Sequence, residues 1–255
     1  MSKTLKQIRA GRLVCAVVYT TPMAGDSSRV RADKQHASNE AQEKLNVRTS
    51  LEKLERVLAA NFDNGDLYVT FSYDDKHIPE SRDAAIRRMR SFIPKLRKAR
   101  RSRGAQLKYV YVTEQWTSEN KRLHHHMVLN STGDDIEELK RLWPYGSNVE
   151  VRRLTFDKEY QYAKLAEYMT KEPREWGRGY VGERMWNPSV GLNHPEPERF
   201  EVPDHLELVI PANAEVVDRY RTENNGFGSY AWVKYLLPPS KGKKKTKSRK
   251  RKKKE

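Results

Sequence analysis

In the segment Asp66 to Tyr73, two kinds of side chain alternate strictly. Of all features of the sequence, this period of two limits the possible folds of the chain the most. In the sequence DLYVTFSY, Leu, Val and Phe alternate with Tyr, Thr and Ser. Such alternation predicts a strand whose two faces meet different surroundings. Two further strands are predicted at Leu107 to Glu114 and Leu123 to Asn130, joined by the polar loop 115–122.

Helical spacing of apolar residues predicts four helices around these strands. They are expected from a Ser38 cap to Leu58, at Glu80 to Arg103, at Asp134 to Leu142 and at Lys158 to Lys171. Further strands are expected at Leu13 to Thr20, Asn148 to Arg153, Leu206 to Ile210 and Tyr230 to Leu237. This order predicts an α+β fold with helices on one face of the sheet.

Positive charge dominates the chain and is concentrated at its C-terminal end. The net charge is +16, and residues 241–255 hold eleven Lys or Arg and one Glu. Like charges repel, so this tail is expected to be disordered and to bind phosphates, although a solubilising tail or a nuclear-import signal gives the same pattern. The expected DNA-binding residues are basic side chains of the second helix and of the tail: Arg87, Arg88, Arg97, Arg101, Lys243, Lys244, Lys245, Arg249 and Arg251.

Several classes of protein conflict with the composition. The single cysteine, Cys15, excludes an internal disulfide framework and a Cys-rich zinc site. No apolar run is long enough to cross a bilayer, and none follows the charged N-terminus as in a secretory signal. We therefore expect no membrane partner and a cytoplasmic location, or a nuclear one if the host is eukaryotic.

The densest chemical signal is the run KRLHHHMVLN, residues 121–130. On a strand, His124 and His126 point to one face and His125 to the other. The preceding strand ends at Glu114, so a hairpin brings a carboxylate beside the two imidazoles. Two nitrogens and one oxygen can hold a divalent cation, Mn²⁺ or Mg²⁺, with positions left open for substrate. By itself, a run of three histidines is as often a surface segment without a function as a metal site.

A second signal is the helix ending LAEYMTKE, where Tyr168 and Lys171 lie three residues apart on one face. A tyrosine becomes a useful nucleophile when its phosphate target is activated by a metal and a cation lies nearby. The alternative is a structural role, in which Tyr168 is a half-buried aromatic residue of the core. Tyr160 and Tyr162 are the next candidates for the nucleophile.

In this order, the strand YVTFSY, the three-histidine strand and Tyr168-x-x-Lys171 resemble the motifs of the HUH endonucleases. Among these, the chain is most similar to the single-tyrosine rolling-circle replication initiators (Rep proteins) of phages and plasmids. One departure concerns His125, since that position is usually hydrophobic in the family. The resemblance covers roughly residues 60–175.

The resemblance implies a fold and a mechanism. The fold would be an antiparallel five-stranded sheet with helices packed on it, of the ferredoxin or RRM-like type. Tyr168 would attack a phosphate of single-stranded DNA at a replication origin, form a 5′-phosphotyrosine and release a 3′ hydroxyl, with Lys171 neutralising charge. The ester would permit later strand joining, and the hydroxyl would prime a host polymerase. Because the chain has no nucleotide-binding phosphate loop, a host helicase would separate the strands.

The domain organisation follows from the same resemblance. We expect an HUH endonuclease domain at 1–175, a C-terminal extension with strands at 176–240 and the basic tail at 241–255. An HUH transposase or relaxase is the alternative within the same chemistry. A non-catalytic RRM-like nucleic-acid-binding module, with Tyr68, Tyr109 and Tyr111 stacking on bases, is the alternative outside it.

Overall fold

The computed structural model describes residues 2–21, 40–114, 123–156, 161–171, 184–222 and 229–239. In these ranges the elements are β1 (Ser2–Ala10), β2 (Leu13–Thr21), α1 (Glu40–Asn61), β3 (Leu67–Ser72), α2 (Arg82–Arg101), β4 (Tyr109–Glu114), β5 (His124–Leu129), α3 (Asp135–Leu142), β6 (Val149–Arg153), α4 (Gln161–Met169), β7 (Asn187–Pro188), β8 (Glu198–Val202), β9 (Glu215–Thr222) and β10 (Tyr230–Leu236). The predicted Ser38 cap and the tail lie outside the described residues.

The central sheet has the strand order β6-β3-β5-β4-β7, and its neighbouring strands run antiparallel. It contains the three strands predicted around the histidine run, and β5 lies in its middle with β3 on one side and β4 on the other. The predicted α+β fold with a five-stranded antiparallel sheet is confirmed.

Helices cover both faces of the central sheet, so the expectation of helices on one face is wrong. The face towards α2 and α3 buries Val69, Phe71 and Met127 against apolar residues of α2 such as Met89 and Phe92. We call this the α2 face. The opposite face, the α1 face, buries Val110, Val112 and Val128 against α1 and α4. Strand alternation divides the side chains between two cores, which sequence periodicity alone does not reveal.

Helix α2 forms where its apolar residues recur every three or four positions. Ser81 caps its N-terminus by accepting a hydrogen bond from the Ala84 amide at 3.1 Å. At the other end, the fully buried Arg100 donates to Asp135 at 2.8 Å and so attaches α2 to the start of α3. A buried charge is tolerated only with such partners. Helix α2 is therefore fixed against the sheet at both ends.

The terminal sheet, of order β8-β1-β2-β10-β9, joins the two ends of the chain. The domain boundary expected near residue 175 falls between strands that pair in this sheet. Strands β1 and β2 precede it, whereas β8, which pairs with β1, and β10, which pairs with β2, follow it. Strand β1 was not predicted, because Leu5 and Ile8 point to opposite faces and break the alternation. The predicted strand at 206–210 is wrong: this segment lies across the terminal sheet, where Leu208 and Ile210 pack on Val14 and Val233 without a ladder partner.

Helix α1 connects the two sheets. Its residues Leu54 and Leu58 are buried in one cluster with Leu13 of the terminal sheet and Val112 of the central sheet. Lys234 of β10 also forms an ion pair with Glu55 of α1 at 2.8 Å. Among the described residues, no helix is long and apolar enough to cross a membrane.

Gly11, in the turn between β1 and β2, provides a test of this packing. Its φ is +58°, and a Cβ there would overlap the Ala59 carbonyl of α1. We expect Gly11→Ala to lower the free energy of unfolding by about 2–5 kcal/mol, from left-handed backbone strain and overpacking together. Urea denaturation followed by circular dichroism measures the change.

Gly104→Ala is the matched control, since Gly104 has φ +71° and nothing within 4 Å of its Cβ position. It should cost only the backbone term, about 1–2 kcal/mol. Equal losses at both positions would contradict the close approach of the turn to α1.

Candidate metal centre and nucleophile

The pairing of β4 with β5 places the three predicted metal ligands together on the α1 face. Glu114 lies directly opposite His124, and His126 lies opposite Val112, so the register brings all three side chains to one side. The Oε2 atom of Glu114 is 3.1 Å from Nε2 of His124 and 3.3 Å from Nε2 of His126. The two Nε2 atoms are 3.0 Å apart.

These separations suit three ligands of one cation. Two ligands at right angles around an ion, each about 2.1 Å from it, are about 3.0 Å apart. The three donor atoms lie within 4.8 Å of one another, and Glu114 and His126 are buried. One carboxylate oxygen and two imidazole nitrogens can hold a divalent cation. The donor set thus fits a catalytic divalent cation.

The electrostatics of the site favour an ionised Glu114. Burial opposes ionisation, but hydrogen bonds with His124 and His126 outweigh it and lower the pKa of Glu114 to about 2. The carboxylate is therefore charged at neutral pH, as a metal ligand must be.

His126 has a second partner that fixes its orientation. Its Nδ1 lies 3.2 Å from the Thr70 hydroxyl of β3, so its Nε2 faces Glu114. The ring of Tyr68 stacks on the His126 ring at 5.4 Å between centroids. Contacts that hold a ligand's second nitrogen typically tune its affinity for metal.

His125 is on the α2 face, as strand alternation predicts. It is fully buried between the Tyr73 hydroxyl, 2.7 Å from Nε2, and the Thr113 hydroxyl, 2.9 Å from Nδ1. Burial, followed by the charges of His124 and His126, lowers the pKa of His125 to about 3. This histidine is therefore a neutral core residue that links β5 to its neighbours.

Helix α4 holds Tyr168 beside the candidate metal centre. Tyr162, Ala166 and Met169 are buried in the core with α1, whereas Tyr168 is 58% exposed. The Tyr168 ring centroid is 5.5 Å from that of His126 and 5.9 Å from that of Tyr68. Tyr168 is thus not a core aromatic, and Lys171 follows it as an exposed residue.

Of the other two candidate nucleophiles, Tyr162 is placed by the structure and Tyr160 lies outside the described residues. The hydroxyl of Tyr162 donates to the Phe62 carbonyl at 3.2 Å, and its ring stacks on Phe156 at 3.9 Å. Tyr162 is therefore a core residue of α4.

Arg152, which was not predicted, also lies beside Tyr168. It is opposite Tyr68 in the β3–β6 pair, its exposed guanidinium donates to Glu150 at 2.8 Å, and Tyr68 and Tyr168 are among its electrostatic neighbours. Only the register of the edge strand β6 reveals this position, because Arg152 and the metal ligands are far apart in sequence.

The predicted DNA-binding arginines of α2 lie across the sheet from the metal centre. The guanidinium of Arg88 donates to the His77 carbonyl and packs over the rings of Tyr73 and Tyr145. Arg87 is 3.7 Å from Glu80, and Arg97 and Arg101 line an open cleft of about 580 Å³. Their role in DNA binding stays a prediction, as does that of the five tail residues, which lie outside the described ranges.

The sheet aromatics proposed for base stacking are divided between the two faces. Tyr109 and Tyr111 are 7% and 4% exposed beneath α2, and only Tyr68 lies on the α1 face. The central sheet consequently has no stacking surface of the kind that a non-catalytic RRM-like module needs.

An antiparallel sheet with a Glu-His-His centre on its middle strands and an exposed tyrosine beside it has the architecture of the HUH class. Comparison with protein-family models agrees: residues 66–173 match a family of replication-associated proteins, described as being of the ORF2 type. The resemblance to rolling-circle replication proteins is thereby confirmed for this range, which contains Glu114, His124, His126, Tyr168 and Lys171. The strands of the terminal sheet lie outside it. Neither a curated protein nor a solved structure matches the chain.

The candidate metal centre predicts a thermal shift. Saturating Mn²⁺, at about 100 times its Kd, should stabilise the protein by about 2.7 kcal/mol, which raises Tm by roughly 5–10 °C. Glu114→Ala and His126→Ala should abolish the shift in differential scanning fluorimetry.

His77→Ala provides the control for this experiment, because His77 also pairs with a carboxylate, Asp74 at 2.6 Å, but is not among the three ligands. It should leave the shift intact. A full shift in the Glu114 and His126 variants would place the metal elsewhere.

The burial of His125 predicts a loss of stability rather than of metal binding. His125→Ala should lower the free energy of unfolding by about 2–4 kcal/mol, since it opens a cavity and removes partners from Tyr73 and Thr113. Urea denaturation without metal measures this loss, which should exceed that of His124→Ala. If the Mn²⁺ shift disappears while stability is unchanged, His125 is a ligand and the face assignment fails.

Proposed function

We propose that this chain is a metal-dependent nickase and strand transferase that cuts single-stranded DNA through a 5′-phosphotyrosine and initiates rolling-circle replication. The observation that supports this most directly is the position of Tyr168, exposed and next to His126 of the candidate metal centre. The family match supports the wider role in replication.

In the proposed reaction, the Tyr168 oxygen forms a bond to the scissile phosphorus and the bond from phosphorus to the 3′ oxygen breaks. The phenol loses its proton, and the departing 3′ oxygen gains one. Glu114, His124 and His126 would hold a Mn²⁺ or Mg²⁺ ion, which when bound polarises the phosphate. Reversal of the step, with a new 3′ hydroxyl attacking the phosphotyrosine, joins strands.

Two cations are available to balance the charge of the reacting phosphate. Lys171 follows Tyr168 by three residues and lies two residues beyond the end of α4. Arg152 reaches the site from β6, on the other side of Tyr68. Both side chains are exposed, so a phosphate bound near Tyr168 can recruit either without desolvating a buried charge.

The same proposal assigns the partners. The 3′ hydroxyl is the primer that a host polymerase extends, and a host helicase separates the strands. The basic tail is proposed to hold the DNA through phosphates without reading bases. In a bacterial host these events take place in the cytoplasm. A transposase or relaxase of this class would share the chemical step but not the primer role.

Substitution of the nucleophile tests the proposal. Wild-type protein, incubated with Mn²⁺ and a labelled pool of single-stranded oligonucleotides, should form a covalent adduct that survives denaturing electrophoresis. Tyr168→Phe should abolish the adduct and leave oligonucleotide affinity within about twofold, because only the attacking oxygen is removed.

Tyr162→Phe makes the same chemical change on the same helix and should retain the adduct. Mass spectrometry of the wild-type adduct then identifies the modified tyrosine. An adduct in Tyr168→Phe at the wild-type level would exclude Tyr168 as the nucleophile.

A further inference from the structure

We propose that the terminal sheet contains a second DNA site, on which bases of the single strand stack against the aromatic part of one face that α1 leaves exposed. The inference rests on the proposed function for its ligand, and it concerns residues outside the range that matches the replication family. Its central feature is an aromatic cluster, which we define as Tyr19, Tyr220, Tyr230 and Trp232.

The strand register places these four residues on one face. Trp232 of β10 lies opposite Tyr220 of β9, and Tyr230 lies opposite Tyr19 of β2. Directly opposite residues share a face, as do residues two apart on one strand. The rings of Tyr220 and Tyr230 are 6.4 Å apart between centroids. The cluster thus spans three adjacent strands.

The two faces of the terminal sheet differ sharply in exposure. On one face, Val14, Val233 and Tyr235 are buried under the segment that contains Leu208 and Ile210. On the face of the aromatic cluster, α1 covers Leu13 and Cys15, whereas Tyr220 is 54% exposed and Tyr230 is 43% exposed. Exposed neighbouring aromatic rings on a sheet expose apolar area to water unless a ligand covers them.

Basic side chains lie on the same face, on the strands near the opposite edge of the sheet. Across the five strands, one row runs Tyr220, Trp232, Val17, Lys6 and Arg199. The neighbouring row, which contains Tyr19 and Tyr230, ends at Glu201, the one acidic residue of these two rows. On the edge strand β9, Arg219 and Arg221 point to the other face of the sheet, opposite Val233 and Ala231, so the cations of the aromatic face are Lys6 and Arg199.

Aromatic rings beside basic side chains match the chemistry of single-stranded nucleic acid. Each base offers a π face for stacking, and each phosphate offers a negative charge to Lys or Arg. An apolar protein partner would explain the rings but not Lys6 and Arg199 in the same row. The site would bind bases without sequence preference and hold the strand that flanks the nick, since α1 packs against this sheet and the central sheet alike.

The experiment measures binding of the full chain to a fluorescent 30-nucleotide oligo-dT in EDTA, by anisotropy. The double variant Tyr220→Ala/Tyr230→Ala should weaken binding by at least about tenfold, because stacking on one ring alone contributes roughly 5- to 150-fold. Tyr220→Phe/Tyr230→Phe keeps the rings and should bind within about twofold of wild type.

Phe200→Ala is the matched control. Phe200 is 47% exposed on the same sheet but lies opposite Leu5, on the other face. It should change the affinity by less than about twofold. Wild-type affinity in the double alanine variant, or an equal loss in Phe200→Ala, would overturn the inference. A changed oligomeric state in light scattering with unchanged DNA affinity would show a protein contact instead, and would also overturn it.

The cations have a separate signature. Lys6→Gln/Arg199→Gln should make the slope of log affinity against log salt shallower by about 1.4, at about 0.7 per phosphate contact on a single strand. The double alanine variant should keep the wild-type slope, since stacking releases no counterions. An unchanged slope in the glutamine variant would remove these two cations from the site.

Adduct formation separates this inference from the proposed nicking function. At saturating DNA with Mn²⁺, the double alanine variant should form the Tyr168 adduct as wild type does. If wild type forms no adduct but the alanine variant still loses oligo-dT affinity, the nicking proposal fails and the stacking site stands. If wild type forms the adduct and the variants keep the wild-type affinity for oligo-dT, the stacking site fails and the nicking proposal stands.

Discussion

The site depends on the register of β5 between β3 and β4. Because side chains alternate along a strand, this register sends His124 and His126 to Glu114 and sends His125 into the opposite core. A slip by one residue would exchange the faces and leave one histidine, rather than two, beside the carboxylate. The hydrogen bonds between His125 and the hydroxyls of Thr113 and Tyr73 oppose such a slip, since in the slipped register both hydroxyls would lose a buried partner.

Both faces of the central sheet therefore contribute to the same site. The α2 face supplies rigidity through the aromatic packing of Phe71, Phe92 and Trp143, whose ring centroids lie about 5 Å apart. The α1 face holds the candidate metal ligands, with α4 beside them. Separating the two tasks by face lets one short strand provide both a core residue and two candidate ligands.

Features that depend on residues close together in the chain could be predicted from the sequence, whereas features that depend on pairing between distant segments could not. The shared face of the candidate metal ligands and the position of Tyr168 on a helix were predictable, because strand alternation and helical spacing are local. The partner of His125, the position of Arg152 and the pairing of β1 with β8 were not, because each requires a register between distant segments. The segment 206–210 has the composition of a strand, but it packs on a face of the terminal sheet instead of pairing at an edge.

The closure of the terminal sheet has a consequence for folding during synthesis. Strand β2 lies between β1 and β10. Because β2 ends at Thr21 and β10 begins at Tyr230, 208 residues separate these two neighbouring strands. While the ribosome makes the chain, the β1–β2 hairpin must wait with both edges unpaired, whereas most of the central sheet is already complete by residue 153. Exposed edges template pairing with other chains, so the nascent protein is most prone to aggregate through its N-terminal hairpin. Once β10 has left the ribosome and paired with β2, the edge of β2 is no longer exposed. A chain that stops before β10 cannot close the sheet.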